Sequence, residues 1–435
     1  MSDGGGTRGA VPGPAAGPAV GASPTGAGVR RRRRRWLRYT AIGVAVIVVG
    51  AAGAGWALYE KLNGNITSDD DTAAELARYE KERPTSLVRD AQNILLIGSD
   101  SRSGNGNRKY GRDSGTERSD TTILLHLAAN RRSATAMSLP RDLMVDVPSC
   151  RRPDGTRAEP VFAMFNRAFQ IGGSACTIRT VEKLTNIRID HHMVVDFHGF
   201  KDMVDAVDGV EVCLKEPIDD PAAKLRLPAG KVKLNGEQSL GYVRARKTIG
   251  DGSDTERMDR QQRFLGALVS KVRSNDVLLN PVKLYPVLDA ATSSLTTDPG
   301  LASLRGLYDL ARGMRDIPTE RVQFLTVPRE AYALNANRDQ LVEPEAEKLF
   351  ERLRMDAPLV VTKELPDDSG AKRSTVESGG GKGAYGDSRN YAPYGSSYHE
   401  SHDGKSGGIR PGDPSLTPSP TPTFRGNTAA EDACG

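Results

Sequence analysis

The stretch from Tyr39 to Tyr59 contains no charged residue, and six consecutive arginines, Arg30 to Arg35, stand just before it, with Arg38 between. A helix over such a stretch is roughly 31 Å long at about 1.5 Å per residue, close to the hydrocarbon thickness of a bilayer. Trp36 and Tyr39 lie at one end and Trp56 and Tyr59 at the other, as an aromatic belt requires. A cleaved signal peptide competes with this reading, since Ala52-Gly53-Ala54 imitates a cleavage site, but the apolar run is longer than a usual signal core. The arginine run is read as a topology signal rather than a nucleic-acid arm or a solvated charge run. It predicts a single-pass cell-membrane protein with its N-terminus in the cytoplasm and residues 60–435 outside.

The flanks restrict where a core can form. The first thirty residues are mainly Gly, Ala, Pro and Ser, and the chain from Leu365 onward is rich in Gly, Ser, Pro, Asp and Lys. Neither end buries enough apolar surface to offset chain entropy. The expected organisation is a disordered basic cytoplasmic tail at 1–38, a transmembrane helix at 39–59 and a stalk at 60–88. An extracytoplasmic domain follows at 89–363, then a disordered tail at 364–435. The net charge of +5 is mild for 435 residues, and no nucleic-acid partner is expected. Of the four cysteines, Cys150, Cys176 and Cys213 fall inside the domain and Cys434 in the tail. At most one bridge forms among the first three. Cys150 with Cys176 is the expected pair, because they flank one insertion-like loop; buried free thiols are the alternative. No cysteine or histidine spacing resembles a zinc site, and His191-His192 reads as a strand-edge pair.

Within the domain the pattern alternates between strand and helix. Asn93 to Gly98, Thr121 to Leu127 and Ala134 to Ser138 read as three successive strands. Helical spacing follows at Ile178, Val181 and Leu184 and at Phe197, Phe200, Val204 and Val207. Val210 to Leu214 and Tyr242 to Arg246 read as strands. A long helix is expected from Asp254 to about Arg273, a helical stripe at Leu301, Leu304, Leu307 and Leu310, a strand at Val322 to Val327 and a last helix at Pro344 to Arg354. Mixed elements within one segment indicate a layered α/β domain.

If the first three strands form an antiparallel meander, the end of the first, the start of the second and the end of the third share one edge. Asp100 and Arg102, Arg118 and Asp120, and Arg141 and Asp142 then converge. Paired carboxylates suit a hard divalent cation such as Mg²⁺, and guanidinium groups bind phosphate oxygens in bidentate fashion. Surface Asp–Arg salt bridges are the competing reading. A second basic cluster favours an anionic ligand. Arg244 and Arg246 lie two apart on an expected strand, and Arg257, Arg260 and Gln261 lie on one face at the start of the next helix.

Five blocks, Ile94 to Arg102, Arg118 to Thr121, Ser138 to Asp142, Tyr242 to Arg246 and Asp254 to Gln262, resemble in order and spacing the successive blocks of the LytR–CpsA–Psr (LCP) family. Asn166 to Gly173, Ile189 to His192 and Asp208-Gly209-Val210 resemble its connecting blocks. The Ala/Gly/Arg content and the cysteines resemble actinobacterial members. The resemblance implies a layered α/β/α domain with a mixed, largely antiparallel central sheet. It implies a phosphotransferase that moves a glycopolymer from a polyprenyl-pyrophosphate carrier to peptidoglycan. By the same resemblance Asp100 and Asp120 hold Mg²⁺ or Mn²⁺, and Arg118, Arg141, Arg244, Arg246, Arg257, Arg260 and Gln261 form the pyrophosphate pocket. Asp142 either accepts the proton of the attacking hydroxyl or orients Arg141. The loop from Asp100 to Arg118 is longer and richer in glycine than the family pattern leads one to expect. A hydrolase of the same bond and a non-catalytic lipid-glycan-binding regulator are the rival functions.

Overall fold

The structure, a computed structural model, describes residues 27–99, 119–221, 223–245, 254–273, 280–362 and 422–431. It divides into two units, Met1–Lys61 and Leu62–Gly435. The described part of the first unit is helical and belongs to α1 (Ala27–Asn65). Within α1, Trp36–Asn65 is long and apolar enough to cross a membrane, and Ile42, Val46 and Val49 are among its exposed apolar side chains.

In the second unit the strands are β1 (Thr67–Ser68), β2 (Gln92–Ser99), β3 (Ser119–Leu127), β4 (Ala134–Leu139), β5 (Met144–Val147), β6 (Cys150–Arg151), β7 (Arg157–Ala158), β8 (Val161–Met164), β9 (His191–Asp196) and β10 (Val210–Leu214). They continue with β11 (Ile218–Asp220), β12 (Leu225–Leu227), β13 (Gly230–Leu234), β14 (Leu295–Thr297), β15 (Val322–Thr326), β16 (Arg329–Tyr332), β17 (Asn335–Leu341), β18 (Val360–Thr362) and β19 (Thr423–Thr428). The helices after α1 are α2 (Asp70–Arg78), α3 (Asn166–Thr185), α4 (Phe197–Ala206), α5 (Gly236–Arg244), α6 (Asp254–Arg273), α7 (Pro281–Ser294), α8 (Leu304–Arg315) and α9 (Glu345–Arg354).

Among the described residues, nine strands form one sheet in the order β1-β14-β9-β2-β3-β4-β15-β19-β18. At its centre β2, β3 and β4 form the expected antiparallel meander. β9 joins β2 and β15 joins β4 in parallel, so the sheet is mixed and less dominated by antiparallel pairs than expected. Parallel neighbours need crossovers, and here helices supply them. Both faces are covered. Leu95, Ile97, Leu124 and Met137 pack against α3 and α9 through Ile178, Val181, Leu349 and Phe350. Ile94, Ile123, Ala136 and Phe324 face the other way, toward Leu265 of α6 and Leu310 and Met314 of α8. The result is an α/β/α layering. Burial on both faces explains why β2 reads as a continuous apolar run rather than an alternating one. A second apolar cluster joins β10, β13 and the β11–β12 hairpin to α4, α5 and α6 around Phe264.

Two expectations are corrected. Tyr242 to Arg246 is not a strand: Gly236–Arg244 is helical, started by a capping box in which Asn235 accepts from the Gln238 backbone and Gln238 returns the bond. That local signal outweighs the β-propensity of Tyr242 and Val243. Nor is 364–435 unstructured throughout. Thr423–Thr428 inserts between β15 and β18, antiparallel to the first and parallel to the second. Gly426 is required there, because a Cβ would lie 2.2 Å from the Phe324 carbonyl. The expected bridge between Cys150 and Cys176 is present, and Cys213 is also disulfide-bonded. Gly172 allows the first bridge its close approach, since a Cβ would meet the Arg151 carbonyl at 2.6 Å.

At one end of the sheet two His–Asp pairs tie the start of the unit to it. Asp69 caps α2 and accepts from His192 Nε2 at 3.0 Å, and Asp298 accepts from His191 Nδ1 at 3.0 Å. Burial pushes the Asp69 carboxyl up, but the bonds from His192 and Thr72 more than reverse this and bring it to about 2. Burial acts likewise on Asp298, which His191 brings below its ordinary range. The bond to Asp298 raises His191 in turn.

The signs define a window. The lowered carboxylates stabilise the fold above about pH 4, and that stability drains as pH falls through their folded values; the raised imidazole contributes below about pH 6.5 and is lost as pH rises past its folded value. Denaturant midpoints measured against pH are expected to peak between these limits, and Asp298→Asn to flatten both shoulders. Phe424→Ala is expected to cost about 3–5 kcal/mol in urea unfolding, whereas a C-terminal segment outside the folded unit would give no change.

Candidate functional site

Register places the chemistry-bearing blocks at the other end of the sheet. Ser99 at the end of β2 is opposite Ser119 at the start of β3, and Ser99 also lies beside Asp196 at the end of β9. Thr122 pairs with Leu139, from which Pro140-Arg141-Asp142 emerges, and Ser138 lies beside Thr326 at the end of β15. Four strand ends and one strand start therefore share a single rim. The meander expectation of one common edge is met by the backbone.

The metal-binding expectation falls mostly beyond what is described. Asp100 and Arg118 lie outside the described residues, although they directly adjoin Ser99 and Ser119 at the rim; of Asp120 only the backbone, within β3, is described. Arg246 also lies outside the described residues. Two carboxylates flanking neighbouring strand ends are the donor chemistry a hard divalent cation takes.

Arg141 and Asp142 are described in full and are about one-fifth exposed. Arg141 Nε donates to Asp142 Oδ2 at 3.3 Å, and Arg338 Nη1 donates to Asp142 Oδ1 at 3.3 Å. Both carboxylate oxygens are thus engaged by guanidinium groups, which is the arrangement of an orienting residue. The backbone holds this segment on two sides: Asn166 N donates to the Arg141 carbonyl at 3.1 Å and Asp339 N to the Asp142 carbonyl at 3.1 Å. Arg338 was missed in the sequence reading. It stands on the β16–β17 hairpin, almost two hundred residues from Asp142, and no spacing signal connects them.

The second basic cluster sits on α6. Gln262, 3% exposed, donates to Ser138 Oγ at 3.3 Å and Thr326 Oγ1 at 3.0 Å, so the first turns of α6 are pinned to the same rim. Arg257 and Arg260 are buried beside it. Arg260 Nη2 donates to the Ala245 carbonyl, and Gln261 Nε2 to the Val243 carbonyl at 3.2 Å. These carbonyls end α5, where a helix leaves acceptors without internal partners. Part of the donor capacity expected for phosphate therefore holds α5 against α6. Arg260 Nε finds no hydrogen-bond partner among the described residues, and burial lowers its pKa while Tyr242, Glu256 and Asp220 partly offset this. Arg244, at the end of α5, lies over the Phe197 ring at 4.5 Å, beside the Asp196 rim position. A helix N-terminus adds a favourable field for anions.

Residues 59–355 match the model of the LytR_cpsA_psr family. The chain belongs to this family. A relative in the LytR_cpsA_psr family, the probable cell wall biosynthesis protein LcpB of Corynebacterium glutamicum, is 34% identical over 317 residues, covering 71% of this chain and 70% of that one. The polyisoprenyl-teichoic acid–peptidoglycan teichoic acid transferase TagT of Bacillus subtilis is 26% identical over 332 residues, 73% of this chain and 95% of that one. In fold the chain is similar to the crystal structure of gbs0355 from Streptococcus agalactiae, with a TM-score of 0.51, 22% identity and coverage of 63% of this chain and 92% of that one. The β19 strand lies beyond the span matched by the family model.

Replacing Gln262 with Ala strands the Ser138 and Thr326 hydroxyls at the rim and is expected to cost about 1–3 kcal/mol. Chemical denaturation checks this, and hydrogen exchange is expected to speed up in the first turns of α6 while α9 keeps its protection.

Proposed function

We propose that the chain is a membrane-anchored phosphotransferase that moves a glycopolymer from a polyprenyl-pyrophosphate carrier to peptidoglycan. The observation that carries this reading is the pinning of α6, with its buried Arg257 and Arg260, to the rim from which Arg141 emerges. Cations gathered at one sheet end fit a diphosphate better than any neutral ligand. The likeness to TagT, a polyisoprenyl-teichoic acid–peptidoglycan teichoic acid transferase, supports a transfer reaction. The uncharged stretch of α1 is assigned as the anchor, and the arginines Arg30 to Arg35 put the N-terminus in the cytoplasm. That orientation keeps the domain beside a lipid-linked donor and within reach of the wall.

In the proposed reaction an acceptor hydroxyl oxygen attacks the saccharide-bearing phosphorus. A new P–O bond forms, the bond to the bridging oxygen breaks, polyprenyl phosphate leaves with the electron pair, and the hydroxyl proton passes to solvent water. Arg141 and the α6 arginines hold the phosphate oxygens, with Arg118, Arg244 and Arg246 completing the pocket. Asp142 keeps Arg141 in position through the 3.3 Å contact. Asp100 and Asp120 are the residues that would hold Mg²⁺, whose chemistry there is neutralisation of charge on the pyrophosphate. Positioning and charge stabilisation account for the remaining rate enhancement.

The test is transfer in vitro from a synthetic polyprenyl-pyrophosphate glycan to soluble peptidoglycan fragments, with and without Mg²⁺. Asp120→Ala and Arg141→Ala are each expected to lower kcat about 10²–10³-fold, the cost of removing one charge-stabilising group. Free phosphate-terminated glycan in place of linked product would identify a hydrolase. Donor binding without turnover in the wild-type protein would identify a binding protein.

A further inference from the structure

Beside the Arg141–Asp142 segment two hairpins stand out from the sheet, β5–β8 and β16–β17. In the first, Met144 pairs with Met164 and Asp146 with Phe162, so these four side chains share one face. The alternate residues Val145 and Val147 are buried, which turns the Met144–Asp146–Phe162–Met164 face outward. Phe162 is 51% exposed, and its ring meets that of Tyr332 from the second hairpin at a centroid distance of 6.1 Å. The second hairpin is joined to the first by the Leu143–Asp339 bridge, and it carries Arg338, which reaches Asp142. A continuous surface therefore leads from the Arg141–Asp142–Arg338 cluster to an aromatic pair in which Phe162 is exposed and Tyr332 half-buried. Along a strand the separation from Asp142 to Asp146 is about 13 Å, at roughly 3.3 Å per residue.

We propose that this face is a carbohydrate platform that seats the acceptor glycan. The inference rests on the transferase reading and adds to it the subsite and the ligand class. Pyranose rings present C–H groups on their faces and hydroxyls at their edges. Aromatic faces with their negative quadrupole attract the former, and the carboxylate of Asp146 and the guanidinium of Arg338 suit the latter. The apolar part is small: exposed Phe162 and half-buried Tyr332, Met144 and Met164, with exposed Val161 and Leu334 beside the two rings. A stable protein interface buries about 800 Å² on each partner, with a larger apolar centre than these side chains supply. A sugar needs no more. The platform adjoins Arg338 and Asp142, so a strand lying on it brings one of its hydroxyls toward the phosphate-binding rim.

The probe is a β-1,4-linked N-acetylglucosamine tetrasaccharide, titrated calorimetrically into the full chain in detergent micelles. Wild-type protein is expected to bind it, Phe162→Ala and Tyr332→Ala to weaken binding about tenfold, equivalent to about 1.4 kcal/mol, and Phe162→Trp to retain it. In the transfer assay the Phe162→Ala effect is expected to fall on the KM for the acceptor fragment and not on the KM for the lipid donor. No binding by wild-type protein overturns the platform, as does equal binding by wild-type and both alanine variants. A change in self-association on Phe162→Ala, with saccharide affinity intact, assigns the patch to a second copy and also overturns it. The titration needs no turnover. Intact, Phe162-dependent binding in a protein that never transfers would defeat the transferase reading and leave the platform standing.

Discussion

A sheet covered by helices on both faces leaves only its two ends open to chemistry. That constraint organises this molecule. Side chains of β2, β3 and β4 are committed alternately to the two apolar layers, so a polar group meant for a ligand must sit where a strand has just ended or is about to begin. The ends of β2, β4, β9 and β15 and the start of β3 fall at the same rim. The opposite end carries His191 and His192, whose carboxylate partners close it with hydrogen bonds. One end serves cohesion while the other gathers arginine.

The meander was legible because three apolar runs separated by turn residues leave few alternatives, and register then fixes which loops meet. The arginines of α6 were legible for a related reason: helical spacing puts 257, 260 and 261 on one face wherever the helix lies. What those side chains touch was not legible. Gln261 and Arg260 also terminate α5, a helix concealed by the β-prone Tyr242-Val243 and announced only by Asn235 and Gln238. Arg338 was out of reach for a different reason. Its link to Asp142 exists only after two hairpins have docked, and nothing periodic in the chain encodes that meeting. Asp100, Arg118 and Arg246 lie outside the described residues, and chain order makes only the first two neighbours of Ser99 and Ser119.

The disulfide and its glycine show how local and distant constraints combine. Cys150 and Cys176 can approach because Gly172 removes a Cβ and Gly173 takes a positive φ, which breaks α3 into two segments at that point. The bridge fixes the far end of the β5–β8 insertion, and the first turn of α3 leaves directly from the residue that bonds to the Arg141 carbonyl. A covalent tie thus stands a short distance from the proposed anion site without being part of it.

The pairing of Val360 with Thr423 has a consequence for everything between them. A chain that departs from the sheet at Thr362 and must return to the neighbouring strand is a closed circuit. Its farthest point can lie no more than about 100 Å away, half its contour at roughly 3.4 Å per residue. A strand supplied by residues 423–428 and inserted between β15 and β18 also delays completion of the sheet until that segment has been synthesised. Synthesis must reach Asn427 before Phe324 acquires its final neighbour.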